Sequence, residues 1–362
     1  MAELPADLAA ALQRATSGVK QDQLSAVTGR LIDRYQADHP AAPGDPIMAG
    51  DQEAQAYAAY RMPATYAAIT AVLDQLPEVE PITHLDLAGG TGAAVWAVAN
   101  RWASIEQHTV LEQAPAAITL GRALAAGSDH ASVRETQWER VVFGASSGPS
   151  TGSGPLGAGG GPSTGSGSWG RADVVTIGYL LSEIDESLQQ KVIRAAAESA
   201  GELLIIVEPG TTKGYRRIIS ARDQLLAAGM SLVAPCPHQL RCPLQDQDQD
   251  WCHFSARVNR SAAHRRAKGA ELGYEDEKFS YLVAAPPTPI DATNRADNRV
   301  LRHPQYPKGR VRLELCRRDG TAGPTTIAKR DKENYRLARK IEWGDSWPTT
   351  DPPASSTPSR PA

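Results

Sequence analysis

The sequence predicts an α/β fold built on a doubly wound, mostly parallel sheet, and three observations carry that expectation. Short apolar segments alternate with helix-compatible stretches, from THLDL at Thr83 through His108–Glu112, Asp173–Gly178 and Leu203–Glu208 to Lys278–Ala284. The first segment ends in a glycine turn, DLAGGTG, that opens directly into the helical stretch AAVWAVANRW. An acid, Glu112, closes the second segment 26 positions after Asp86, the length of one strand-helix-strand unit. Parallel strands need crossover connections, and helices of this length supply them.

With 362 residues, the chain can bury a sizeable core around such a sheet. Ahead of it, residues 1–80 read as an N-terminal helical region, Ala-rich and periodic around Leu8–Leu24 and Tyr57–Leu76, interrupted by the loop HPAAPGDP. Residues 81–285 hold the alternating strands and helices. Within them, 144–168 is almost entirely Gly, Ser, Pro, Thr and Ala and contains GPSTGSG twice; such a segment cannot bury enough apolar surface to offset its ordering entropy and reads as a disordered insertion. Residues 234–256 form a cysteine-bearing loop. In 286–346, VRLELCRRDG and TTIAKR alternate like two strands of a small β appendage followed by a basic helix-like run, and 347–362 read as a disordered tail.

Charge and hydropathy exclude several classes. No apolar run approaches the roughly 18 to 20 residues that cross a bilayer, so no membrane partner is expected. The first residues carry Glu3 and Asp7 and lack a basic start followed by an apolar stretch, so they read as a first helix and not as a targeting signal, and a cytoplasmic protein is expected. The net charge is −3, yet from Leu301 to Glu342 twelve Lys and Arg face five Asp and Glu. That basic C-terminal region suits a phosphate-rich partner. A second basic run follows Cys252: Arg257, Arg260, Arg265, Arg266 and Lys268 are spaced to share a helical face and are candidate RNA contacts, with RNA preferred because no DNA-reading motif is present.

The turn at Asp86–Gly92 is the candidate cofactor site. Glycines there let the backbone turn sharply and approach a ligand, and an acid at Glu112 can accept hydrogen bonds from ribose hydroxyls. The spacing of Asp86, Ala88, Gly90 and Gly92 is closer to the first motif of class I methyltransferases than to the dinucleotide fingerprint, which makes S-adenosylmethionine the expected ligand and NAD the rival. The ligand's cationic ammonium and sulfonium give Asp86 a role as a nearby acid. The fold expected is therefore the Rossmann-like class I S-adenosylmethionine-dependent methyltransferase fold with N-terminal helices, a four-cysteine metal-binding insertion and a small C-terminal β appendage. The acceptor should enter near Tyr179, Ser182 and Glu183, but no amino-group methylation signature is present and no catalytic residue is assigned.

Four cysteines, Cys236, Cys242, Cys252 and Cys316, all fall in the second half of the chain, with five, nine and 63 residues between successive members. They can converge if the appendage folds back onto the loop. Four thiolates suit zinc or a 4Fe-4S cluster; structural zinc sites commonly use close pairs, which this spacing lacks, and that favours the cluster with zinc as the alternative. His238 and His253 are possible substitutes for a cysteine. The Ala-Pro-Cys at Cys236 also resembles the nucleophile of RNA cytosine-5 methyltransferases, although that nucleophile follows the fourth strand and Cys236 follows the fifth.

Over roughly residues 50–345 the chain resembles the methyltransferase-like assembly proteins of the mitochondrial small ribosomal subunit and their bacterial relatives. The likeness rests on YRMPATY at Tyr60–Tyr66, DLAGGTG, VEPGT at Val207–Thr211, APCPH, CPL and DWCHF, YEDEKFSYL at Tyr274–Leu282, and YRLARKIEWGD near the end. The resemblance implies a 4Fe-4S cluster on the four cysteines and small-subunit rRNA as the partner during ribosome assembly, with rRNA methyl transfer left open. The chain departs from the pattern at Ala88, where glycine is common, and in its Gly/Ser insertion.

Overall fold

The computed structural model describes residues 3–36, 48–143, 169–247, 249–260, 273–287 and 296–348. The expected Gly/Ser insertion at 144–168 lies outside them, as do Arg265, Arg266, Lys268 and residues 349–362. Among the described residues no helix is long and apolar enough to cross a membrane.

The main sheet runs β3-β2-β1-β4-β5-β8-β6, with β7 pairing β8 beside β6. Its strands are β1 (Thr83–Leu87), β2 (Gln107–Glu112), β3 (Gln137–Arg140), β4 (Ala172–Gly178), β5 (Ala200–Pro209), β6 (Ser231–Ala234), β7 (Phe254–Asn259) and β8 (Tyr274–Ala285). The first five are mutually parallel, whereas β8 is antiparallel to β5, β6 and β7. That order, with its one reversed strand, is the Rossmann-like methyltransferase arrangement.

Period-two alternation explains how the strands are buried on both faces. Val174, Leu203, Ile205, Val207, Tyr281 and Val283 point to one core, shared with helices α1 (Ala6–Thr16), α4 (Met62–Leu73), α5 (Ala93–Arg101), α6 (Pro115–Ala125) and α7 (Ala131–Arg134). Their neighbours Val175, Leu204, Ile206, Leu282 and Ala284 point to the other, covered by α8 (Glu186–Ser199) and α9 (Thr212–Ala227). Both crossover helices have side-chain caps, Asp185 accepting from the Leu188 N–H and Thr211 from the Gly214 N–H. Among the described residues the N-terminal region has four helices, α1, α2 (Gln21–Gln36), α3 (Asp51–Tyr60) and α4; the periodic stretch Leu8–Leu24 spans α1 and the start of α2, with Ser17–Lys20 between them.

Two local expectations change. Arg257 lies on a strand and Arg260 just beyond it, not on a helix, because Phe254, Ala256 and Val258 are buried in alternation and the segment pairs with β8. The C-terminal appendage is a four-stranded sheet, β11 (Ala322–Ala328), β10 (Arg310–Arg317), β9 (Asn298–Val300) and β12 (Ser346–Trp347), with α10 (Lys332–Ala338) against it. Trp347, expected in the tail, instead pairs with Asn298 and is buried in the appendage core with Val300, Val311, Leu313 and Leu315; an indole of that size is a large apolar gain on burial.

Candidate functional site

Two recesses stand out, one at the carboxyl ends of the parallel strands β1, β2 and β4 and one beside β6 and β8. The first is built on the glycine turn. Ala88 and Gly90 both have φ of +56° and Gly92 has +90°, so the chain leaves β1 through left-handed conformations and enters α5 at once. Ala88 is one of two non-glycine residues with positive φ among those described, a strained placement for a side chain with a Cβ. Gly89 has no room for more than hydrogen, since a Cβ there would lie 2.4 Å from Asp86 Oδ2 and 2.7 Å from Val110 Cγ1.

Glu112 clamps this turn to the end of β2. Its Oε2 accepts the Gly90 N–H and its Oε1 the Ala114 N–H, each at 2.8 Å. Burial pushes its pKa up, against the opposing pull of those backbone donors. Ala88, Gly90, Glu112, Gln113 and Ala114 form one wall of a cleft of about 440 Å³, and Met48, Tyr57, Gly178, Tyr179, Leu180 and Glu183 complete it. Asp86 and Gly92 are not in the lining. A Cβ at Gly92 would meet Trp138, and Asp86 is buried beneath the turn. The Thr176 hydroxyl donates to Asp86 Oδ1 at 2.6 Å while Oδ2 has no hydrogen-bond partner. Burial pushes Asp86 up to about 7. Behind it the polar chain continues from Thr176 to His84 and from His84 to His108, at 2.9 Å each.

The cleft fits a cation better than a phosphate. Its charged lining groups are Glu112 and Glu183, with no Lys or Arg among the lining residues, and a pyrophosphate there would face two acids without a counter-charge. The ammonium and sulfonium of S-adenosylmethionine match that sign, and the open backbone at Gly90 leaves space for its approach. Sequence reasoning missed Met48, just ahead of α3, and Tyr57 on α3, which belong to no motif and reach the cleft through tertiary packing.

At the position after β4, Tyr179 has φ of +64°. Its hydroxyl donates to Glu277 Oε1 at 3.0 Å, and the Arg61 guanidinium lies 4.4 Å from its ring centroid. Ser182 donates to the Tyr179 carbonyl and Glu183 lines the cleft.

The second recess gathers all four cysteines. Cys236 follows β6, Cys242 lies in the loop, Cys252 precedes β7 and Cys316 sits on β10, so three segments of the main domain's edge and one strand of the appendage meet around a cavity of about 520 Å³. Apolar walls come from Ile218, Ile219, Leu244, Leu282 and Leu301. All four sulfurs are free thiols. Burial, reinforced by the neighbouring cysteines, pushes Cys252 and Cys316 well up; burial also raises Cys236, with Arg222 opposing. Among the described residues, no group of three or more His, Cys, Asp or Glu has the geometry of a metal-ion site, so the expected four-cysteine metal-binding insertion is a convergence of thiols and not a formed metal centre. The loop is held by arginines on its carbonyls: Arg222 donates to Leu240, Arg299 to Pro235 at 3.0 Å, and Arg302 to Trp251 at 3.0 Å. His238 Nε2 lies 3.4 Å from the Cys316 sulfur, whereas His253 Nδ1 lies 2.9 Å from the Trp251 carbonyl.

Of the RNA candidates in the described residues, Arg257 pairs with Asp276 through hydrogen bonds of 2.7 and 2.9 Å, and Arg260 pairs with Glu275 at 3.0 Å. The charge of each is therefore matched at home. On the appendage, by contrast, Lys308, Arg310, Arg312, Lys329, Arg330 and Lys332 are exposed, and Arg339 lies over the ring of the half-exposed Tyr306.

A doubly wound sheet with one reversed strand, a glycine turn clamped by an acid and an acid-lined cleft define a methyltransferase-like protein. The profile of the family described as mitochondrial small ribosomal subunit Rsm22 matches residues 51–348, and the chain belongs to that family. It is 26% identical over 317 residues to the human mitochondrial ribosome assembly protein METTL17, covering 82% of this chain and 63% of that one. It is 28% identical over 202 residues to the Rsm22-cox11 tandem protein 2 of Schizosaccharomyces pombe, covering 44% of this chain and 26% of that protein. The chain thus spans less than two thirds of the length of either relative. Among solved structures, the magnesium protoporphyrin IX methyltransferase of Synechocystis with bound SAH is similar at 11% identity and a TM-score of 0.37, over 74% of this chain and 97% of that one.

Proposed function

We propose that this protein serves assembly of the small ribosomal subunit, binding its rRNA with the basic appendage, S-adenosylmethionine in the acid-lined cleft and a 4Fe-4S cluster on Cys236, Cys242, Cys252 and Cys316. The observation that carries the reading is the convergence of four thiols from distant segments on one apolar recess, three from the methyltransferase-like domain and one from the appendage. Four thiolates suit a 4Fe-4S cluster on ligand count, and the apolar walls of the recess would shield it from water. Ligation would tie Cys316, and with it β10, to the main domain. Names of the relatives, one a ribosome assembly protein and the other an Rsm22 fusion, support the ribosomal role.

In the cleft, Glu112 would accept from the ribose and the Gly90 backbone would lie against the ligand, while Glu183 adds negative charge opposite the cationic end. S-adenosylmethionine, when bound, supplies an electrophilic methyl group. For transfer, an acceptor has to reach the cleft past Tyr179. Tyr179 is fixed there by its bond to Glu277, which pairs with Arg61, and an immobile ring beside the cleft favours a second reading, in which the methyltransferase fold is a non-catalytic RNA-docking scaffold. Cytoplasmic action, expected from the N-terminal residues, stays a proposal beside relatives named as mitochondrial.

Anaerobic purification with measurement of the visible spectrum and of iron, sulfide and zinc tests the central claim. A broad band near ~400 nm with about four irons and four sulfides per chain is expected. Stoichiometric zinc without a visible band would overturn the cluster.

A further inference from the structure

The recess holds polar groups within hydrogen-bond distance of the sulfurs. The Tyr215 hydroxyl on α9 lies 3.3 Å from Cys242 Sγ. His238 Nε2, on a side chain only 4% exposed, lies 3.4 Å from Cys316 Sγ. Arg222, 2% exposed and also on α9, lines the recess with Cys236 and donates to Asp223 and to the Leu240 carbonyl. Two of the four sulfurs thus have a polar partner within hydrogen-bond distance, drawn from two different segments.

We propose that Tyr215 and His238 are outer-sphere donors that hydrogen-bond the ligating sulfurs of Cys242 and Cys316 and thereby set the reduction potential of the cluster. The inference rests on the cluster reading above. Its physical basis is that a donor to a thiolate sulfur withdraws electron density from the iron–sulfur bond and stabilises the form carrying one more electron, so the potential rises with each such bond. Charge acts in the same direction. Four thiolates around a cluster core of charge +2 leave a net −2, and the recess wall carries two guanidinium groups, Arg222 and Arg299, each 2% exposed. Arg299 is held by neutral oxygens of Pro235, Gly344 and Gln75, so its charge is left to face the recess. The same wall is apolar elsewhere, which keeps water from competing for the sulfurs.

Tyr215 gives the cleanest test, because phenylalanine keeps the ring in its buried position and removes the donor alone. The full chain, reconstituted without oxygen, is compared as wild type, Tyr215→Phe, His238→Phe and the packing control Ile219→Val. Iron and sulfide content and the midpoint potential of the one-electron couple, followed by electron paramagnetic resonance with redox mediators, are the readouts. The expected result is a cluster in all four proteins, an unchanged potential in Ile219→Val, and a shift to more negative potential in Tyr215→Phe and in His238→Phe. A loaded Tyr215→Phe protein with the wild-type potential overturns this inference and leaves the cluster reading standing. Wild-type protein that takes up no iron and sulfide overturns both. Should Tyr215→Phe fail to load, His238→Phe is judged by the same criterion, and an equal shift in Ile219→Val would assign the effect to packing and overturn the proposal.

Discussion

Arg61 and Glu277 meet in a two-point ion pair, Nη1 to Oε2 and Nη2 to Oε1, at 2.9 Å each. The pair joins the junction of α3 and α4 to β8, and the Tyr179 hydroxyl binds the same carboxylate. Side chains this far from water (15% and 9% exposed) leave an uncompensated charge when one partner goes. Glu277→Leu is expected to cost about 3–5 kcal/mol of unfolding free energy. The double variant Arg61→Met, Glu277→Leu should recover a large part of that. Urea denaturation of the single and double variants decides it; additive losses would show that the two residues act separately.

Gly90 faces Met48 and Tyr57 across the cleft with φ of +56°, and a long side chain there would project into the space read as the cofactor's. Gly90→Arg should weaken S-adenosylmethionine binding by at least about tenfold, which corresponds to about 1.4 kcal/mol. Calorimetric titration reads the affinity. Normal ribosome maturation in cells carrying the variant would remove methyl transfer as a required step and leave the scaffold reading.

Asp86 links stability to pH. Burial raises its folded-state pKa to about 7 from an ordinary 3.8. The folded chain therefore holds the proton more tightly than the unfolded one. Stability associated with Asp86 is fully present below pH 3.8, falls as the pH rises between those two values, and is flat above them. The slope is at most about 1.4 kcal/mol per pH unit. His84 and His108, whose pKa values burial lowers, contribute the opposite slope below their ordinary 6.5, and Glu208, also raised to about 7, the same slope as Asp86. The measurable quantity is the difference between wild type and Asp86→Asn. Wild type should lose stability relative to the variant from about pH 4.5 to 7. A constant difference over that range would mean that Asp86 is ionised in the folded protein.

Much of the fold is legible in the sequence because its signals are local. The β1 turn, the strand of Asp173–Gly178 and the apolar run Leu203–Glu208 carry period and punctuation in a few residues each, and the structure has strands at all three. Arg257 shows the opposite case. Its basic neighbours suggest a helical face, while the alternation of Phe254, Ala256 and Val258 is too short to outweigh them until β8 supplies a partner. At the cleft, the motif points to Ala88, Gly90 and Glu112, but it does not separate Asp86 from them, since whether an acid faces the ligand or the core depends on Thr176, 90 positions away. Tyr215 and His238 have no readable role in the sequence for the same reason: their meaning lies in distances to sulfurs brought together by the tertiary fold.

Cys316 tests what the four-cysteine recess does for the architecture. It stands on β10, paired with Arg299 on one side and Ala322 on the other, and is the appendage's contribution to the recess. Cys316→Ser should lower iron content and weaken the hold between the appendage and the main domain, because a hydroxyl is a poor substitute for a thiolate ligand. Limited proteolysis under anaerobic conditions is expected to release the appendage faster from the variant than from the loaded wild type. Equal cleavage rates would make the recess irrelevant to docking the appendage.

The appendage and β7 make competing predictions about RNA. Val311 and Leu313 turn inward from β10, which leaves Arg310 and Arg312 exposed side by side on the outer face. Nearby Tyr306 is 49% exposed under Arg339, a cation-backed ring of the kind on which an unpaired base stacks. Arg257, in contrast, already has Asp276 as a two-point partner. Charge reversal at Arg310 and Arg312 should therefore weaken binding of a small-subunit rRNA fragment across sequences and flatten its salt dependence, by about 0.7–0.9 in the log–log slope for each phosphate that is no longer neutralised. Tyr306→Ala should cost about 1–3 kcal/mol without changing that slope, because stacking releases no counterions. Arg257→Ala should leave affinity close to wild type. Fluorescence anisotropy over a range of salt concentrations separates the three, and a loss in Arg257→Ala as large as that of the double reversal would move the interface from the appendage to the edge of the main sheet.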